Sequence, residues 1–295
     1  MKQACWLLAF FICWSAAGFV FFGNETGLAH DRGPHPDRIV SLAPNITEIL
    51  FALGLEKQVV GVTLDCDYPP QTATKTRVGT FWQPDIESVI ALRPQLIVTL
   101  GFQQQRNLAE RLARIGCNCL TVDIETTADL YAATEQIGLA TDTADRAREL
   151  VADMQTQLQQ IGANVAGRDR IKVLWVIQRQ PLRVAGRNTF ANEIIEFAGG
   201  ENAIGPTLHQ YPPIGAEQVL TCNAEVIIEP AMGSTDLAAQ QGSAIQYWSA
   251  FGSLSAVVNR RIFVINPDTV TRLGPRLCRG VRTVAKCLRP ELFEN

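Results

Sequence analysis

Glu87–Val98 reads ESVIALRPQLIV, and 130 positions later Glu217–Ile228 reads EQVLTCNAEVII. The two stretches align without a gap. Each opens on a glutamate, carries an apolar pair two residues on, and closes on three consecutive apolar residues. The opening half suits a short helix, and the closing triplet suits a strand buried on both faces of a parallel sheet. A chain that writes this helix–strand unit twice is organised as two like halves.

The flanking sequence repeats in the same order. RIVSLAP (Arg38–Pro44) is echoed by RIKVLWV (Arg170–Val176), each a β-rich run. TEILFALGLEKQVVG (Thr47–Gly61) is echoed by NEIIEFAGGENAIG (Asn192–Gly205), with Gly199 standing to Glu193 as Gly54 stands to Glu48. Asn45 is read as a helix N-cap, Glu48 as its capping-box partner and Gly54 as the C-terminal stop. Strands follow at QVVGVT (Gln58–Thr63), CLTVDI (Cys119–Ile124) and RIFVINP (Arg261–Pro267), with helices at Gln105–Gly116 and Leu277–Leu288. Alternation at this spacing predicts an α/β fold with mostly parallel sheets covered on both faces.

One segment breaks the rhythm. From Thr143 to about Ile161, apolar residues recur at Ala147, Leu150, Val151, Met154, Leu158 and Ile161, the spacing of one long amphipathic helix. It lies between the halves. The expected organisation is an N-terminal lobe over 38–141, an interdomain helix over 142–167 and a C-terminal lobe over 168–295.

The N-terminus has its own character. Lys2 precedes an uncharged apolar run, Ala4–Gly23, and Gly27-x-Ala29 supplies a small-residue pair. This describes a secretory signal peptide over 1–29, cleaved after Ala29. The run is also long enough for an uncleaved anchor. Either way residues 30–295 are exported, and 30–37 form a polar, flexible lead-in. Cys13 sits in a poor context for lipoprotein processing, so no lipid anchor is expected. An oxidising compartment then permits bridges among Cys66, Cys117, Cys119, Cys222, Cys278 and Cys287, and the spacing does not choose between pairings.

Several classes of function are excluded. A formal net charge of −3, from 26 basic and 29 acidic residues, argues against a nucleic-acid partner. No dinucleotide fingerprint, P-loop, nucleophile elbow or zincin motif is present. Cysteine and histidine spacings match no zinc site, and His30, His35 and His209 all fall in loops. Neither a catalytic residue nor a resident metal is expected. Acidic pairs such as Asp65/Asp67 and Glu193/Glu196 read as surface residues. Ligands of open α/β sheets bind beyond the carboxyl ends of the strands and in clefts between lobes. Phe81, Trp82, Phe102, Tyr211 and the Asp268–Arg272 segment fall there. Aromatics facing a cleft suit a flat, partly apolar ligand, with Asp268 and Arg272 to orient it.

Taken with the CDYPP turn, VGTFWQPDIESVIALRPQLIV and LGPRL, these stretches resemble the cobalamin- and siderophore-type substrate-binding proteins of ATP-driven (ABC) importers. The resemblance runs from about Arg38 to Leu288. It implies two Rossmann-like lobes bridged by a single rigid helix, the class III periplasmic binding protein fold, with the ligand between the lobes and the free protein a monomer. It also implies that Glu87 and Glu217 dock onto the two-fold symmetric membrane subunits. Ligand-binding positions carried over are Phe81, Trp82, Leu100, Tyr211, Asp268 and Arg272, with Phe102 close to Leu100. The expected ligand is cobalamin or a related corrinoid, with no other cofactor. Haem, a ferric siderophore or another metal chelate is the alternative, and an exported α/β enzyme or sensor domain the more distant one. The family's bridging cysteines fall on Ala198 and Ala285, which leaves Cys222, Cys278 and Cys287 available for another bridge.

Overall fold

Both repeated units form in the computed structural model, which describes residues 35–233 and 236–293. The signal segment, its cleavage point and residues 30–34 of the lead-in lie outside the described residues. The N-terminal lobe comprises β1 (Ile39–Ser41), α1 (Pro44–Ala52), β2 (Val59–Val62), β3 (Thr76–Arg77), α2 (Ile86–Ala91), β4 (Leu96–Leu100), α3 (Gln103–Arg114), β5 (Cys119–Val122) and α4 (Thr127–Ala140). Its strands lie in the order β3-β2-β1-β4-β5, all parallel.

α5 (Ala144–Val165) connects this lobe to the second. There follow β6 (Ile171–Arg179), β7 (Leu182–Val184), α6 (Phe190–Phe197), β8 (Gly200–Asn202), α7 (Ala216–Thr221), β9 (Val226–Pro230), α8 (Leu237–Trp248), α9 (Ser255–Val258), β10 (Ile262–Ile265) and α10 (Leu277–Leu288). β6 takes β9 on one side and β8 on the other, β10 extends beyond β9, and β7 turns back antiparallel on the end of β6. β1 and β6 thus occupy the same central place in their sheets, flanked by β2 and β4 or by β8 and β9.

The opening helix–strand unit is repeated without change of length in secondary structure. α2 and β4, moved 130 positions, coincide with α7 and β9 at both ends of both elements. Even the turn between helix and strand is copied, with Arg93 at φ 47° and Asn223 at φ 49°. Gly54 and Gly199 likewise hold φ of 78° and 81° just past α1 and α6, the left-handed conformation that glycine reaches without strain.

α5 is the shared wall. Its Ala147, Val151, Met154, Leu158 and Ile161 are buried in one apolar cluster that also takes residues from β1, α1, α4, β6, α6 and α10. Burying each of the larger side chains contributes about 1.5–3 kcal/mol, so the helix is held from both lobes. Gly138 lets α4 close on it: a Cβ there would lie 2.5 Å from that of Ala147. Among the described residues no helix is long and apolar enough to cross a membrane.

Two expectations are corrected, and the cysteine pairing left open by the sequence is settled. α1 begins at Pro44, whose fixed φ suits the first helical position, and its N-cap is Ala43 rather than Asn45. Asn45 and Glu48 are buried and directed at the other lobe, so they form no capping box. Glu193, read as a surface residue, also reaches across: its carboxylate accepts from Thr127 N at 2.7 Å and Thr127 Oγ1 at 2.6 Å, at the start of α4. Finally, all six cysteines of the described residues are free, including Cys222, Cys278 and Cys287. Cys66 is buried between the Thr47 and Thr63 hydroxyls, at 3.2 Å from each.

Candidate functional site

β1 leads directly into α1, whereas β6 reaches α6 by way of β7, and the starts of the two helices face a common cavity. Pro44 and Asn45 line it from one lobe, Thr189 and Phe190 from the other. These are equivalent positions, as the spacing to Glu48 and Glu193 shows. The cavity measures about 670 Å³ and is also lined by Phe81, Trp82, Leu100, Tyr211 and Arg272. Five of the residues expected at the cleft therefore line one cavity, Phe81, Trp82 and Leu100 from the first lobe and Tyr211 and Arg272 from the second. Phe102 stands behind them, its ring 5.4 Å from Phe81 and 5.7 Å from Trp82. Asp268 lies in an adjoining hollow, on the far side of Arg272.

The aromatic wall is clamped through its backbone. Phe81 N donates to Asp65 Oδ2 at 2.6 Å, Phe81 O accepts from Gln105 Nε2 at 3.1 Å, and Trp82 O accepts from Gln104 Nε2 at 2.6 Å. Gln105 is 1% exposed and uses all its capacity: its amide also donates to Leu42 O, and its oxygen accepts from Leu100 N and Thr99 Oγ1. It ties the ends of β1 and β4 to the Phe81 loop. The Phe81 and Trp82 rings meet edge to face at 4.8 Å, which leaves Trp82 61% exposed toward the cavity.

Across the cleft, Tyr211 is held by Arg183, whose guanidinium donates to its carbonyl at 3.1 Å. Burial, then the nearby Glu125 carboxylate, pushes the Tyr211 hydroxyl above its ordinary pKa. The cavity floor is a seam between the lobes. Arg272 makes a two-point ion pair with Asp67, stands 3.8 Å from Asp268, and Asn45 Nδ2 donates to Leu273 O at 3.2 Å. Burial opposes the ionised Asp67, but the guanidinium prevails and holds its carboxyl below the usual aspartate range.

Glu87 and Glu217 are elsewhere. Both are exposed in the first turns of α2 and α7, and Glu217 borders a shallow surface hollow with Gly215, Gln218 and Thr221. Each helix runs back against the strand that follows it, so its first turn lies toward the carboxyl ends of the strands, the side on which the cleft opens.

The sequence alone does not place Asn45, Asp65, Gln105, Glu125, Thr189 or Phe190 at the site, and offers only other readings for Asn45, as a helix N-cap, and Asp65, as a surface residue. For Thr189 and Phe190 a signal existed in the internal repeat, which pairs them with Pro44 and Asn45. For Gln105 there was none, because a glutamine on an amphipathic helix reads as solvent-facing. Among the described residues no group of three or more His, Cys, Asp or Glu could hold a metal ion.

Comparison with known proteins agrees with the fold. The family model described as periplasmic binding protein matches residues 39–269. The chain is 30% identical over 267 residues to an uncharacterized ABC transporter substrate-binding lipoprotein of Bacillus subtilis, YvrC, covering 88% of this chain and 82% of that one. Among solved structures it is similar to a possible iron-binding, periplasmic solute-binding protein of Staphylococcus epidermidis, with TM-score 0.76 and 26% identity over 86% of this chain and 99% of that one. It is also similar to the periplasmic vitamin B12-binding protein BtuF of Vibrio cholerae, with TM-score 0.73 and 26% identity over 86% and 97% of the two chains.

Proposed function

The chain belongs to the periplasmic binding protein family, and on that premise we propose that it is exported, captures cobalamin or a related corrinoid between its lobes and delivers it to an ABC importer. The observation that carries this reading is the cavity of about 670 Å³ with the Phe81–Trp82 pair on one lobe and Tyr211 on the other. A large, partly apolar ring system fits such walls by buried area and stacking. The reading assigns capture and delivery, without chemistry on the ligand. Docking rests on the exposed Glu87 and Glu217, offered by equivalent helices to a partner with its own two-fold axis.

A second reading, haem or a ferric chelate in the same cleft, is favoured by one feature. The Tyr211 phenol is an oxygen donor on the cavity wall, a group that can ligate ferric haem.

Tryptophan fluorescence tests the choice. Trp175 and Trp248 are fully buried whereas Trp82 is exposed at the cavity, so saturable quenching by micromolar cyanocobalamin reports on Trp82. A Trp82→Phe variant reduces the signal, leaving the part that comes from energy transfer out of the buried Trp175 and Trp248. Silence toward cyanocobalamin with a response to haem or a ferric siderophore moves the assignment to the second reading.

A further inference from the structure

Among the described residues three charged side chains line the cavity: Asp65, Glu125 and Arg272. The cation is already engaged, by Asp67 at two points and by Asp268. The next cation along the seam, Arg276, is bound to Glu48. Among the described residues neither Asp65 nor Glu125 joins an ion pair. The one hydrogen bond at the Asp65 carboxylate comes from the Phe81 N–H, and the Glu125 carboxylate acts on the Tyr211 hydroxyl from the opposite lobe. The cleft therefore presents negative charge that its own residues leave unneutralised.

Asp65 and Glu125 are both solvent-exposed, and the concave shape of the cavity between them concentrates their field on whatever enters it. A ligand bearing free carboxylates meets repulsion from both walls. A ligand with a carboxamide rim, or with net positive charge, gives the same oxygens N–H donors or a counter-charge.

We infer that Asp65 and Glu125 make the cleft selective by charge, admitting metal macrocycles with amide or cationic peripheries and disfavouring those with free carboxylates. This rests on the reading of the cavity as the ligand site. Within that reading it separates corrinoids, whose side chains end in amides, from haem with its two propionates.

The test compares probes that differ in charge on one ring. Cyanocobalamin, a cyanocobalamin monocarboxylate made by hydrolysing one side-chain amide, cationic diaquacobinamide and haemin are titrated into the purified protein. Cyanocobalamin is expected to bind about tenfold more tightly than its monocarboxylate at low salt. Asp65→Asn with Glu125→Gln narrows that gap and strengthens haemin binding, whereas Glu149→Gln, a neutralisation on the exposed face of α5, leaves the gap unchanged. Asp65→Asn keeps an oxygen to accept the Phe81 N–H, and a thermal melt verifies the fold. Equal affinity for amide and carboxylate probes, or a gap the double variant does not alter, overturns the charge selection and leaves the cleft assignment standing. If no macrocycle perturbs Trp82, the cleft assignment itself falls and takes the selection with it.

Discussion

Glu48 and Arg276, 228 positions apart and on different lobes, form a two-point ion pair: Nε donates to Oε2 at 2.8 Å and Nη2 to Oε1 at 2.5 Å. Their side chains are 3% and 12% exposed, and the guanidinium also lies 3.9 Å from the centre of the Tyr68 ring. With Asp67–Arg272 and Glu193–Thr127, it sews the lobes together directly, beside the connection made by α5.

Removing one member of this pair is expected to be costly, because the other is left charged and buried. Arg276→Ala or Glu48→Ala should each lower stability by about 3–5 kcal/mol in urea denaturation. Glu48→Leu with Arg276→Met should recover much of that loss. If either single change costs no more than a surface substitution, the pair does not hold the lobes.

Acid affects the two seam carboxylates in opposite senses. Asp67 has a depressed folded pKa, so its contribution is present above the ordinary aspartate range and lost as pH falls through the folded value. Burial pushes the Glu48 carboxyl up, with Arg276 opposing, so protonating Glu48 favours the folded state on acidification. Asp67→Asn should therefore flatten the acid limb of a stability-against-pH curve below about pH 4. An unchanged acid limb would show that Asp67 is not the group responsible.

The aromatic wall should dominate ligand affinity. Trp82→Ala and Tyr211→Ala are each expected to weaken binding roughly tenfold, as loss of a buried ring contact does. Gln105→Ala should cost about 1–3 kcal/mol of stability by leaving buried carbonyls unpaired, and should also broaden the bound Trp82 signal. Isothermal titration of the three variants separates the direct contacts from the positioning residue.

Transport should depend on the glutamate pair, while binding does not. Glu87→Lys with Glu217→Lys is expected to abolish importer-dependent uptake in cells and leave the affinity for ligand in solution unaltered. Normal uptake by the double variant would remove the docking role and leave the pair as first-turn helix residues favoured by the helix dipole.

Much of the architecture was legible because burial writes itself in periodicity. The apolar triplets of β4 and β9, and the spacing along α5, identify elements whose faces admit little else. α4 escaped notice because its buried face includes Thr127, Ala133, Thr134 and Gly138, small residues that give a weak apolar signal. α8 was likewise unmarked, with only Ala244 and Trp248 buried along it. Glu48 was misread for a related reason: a glutamate three residues after asparagine has a local use in capping, and nothing nearby in sequence announces an arginine in the other lobe.

By itself, the sequence determined the duplication, the central helix and the matched glutamates, since each is a local pattern repeated at a fixed offset. Tertiary structure alone decided what the lobes do to one another. It committed Arg272 and Arg276 to carboxylates of the opposite lobe, made Gln105 the clamp of the Phe81 loop, and left Asp65 and Glu125 outside every ion pair among the described residues. Those are pairings between distant segments, and the energies that select them, desolvation and charge at close range, depend on positions that only the folded chain supplies.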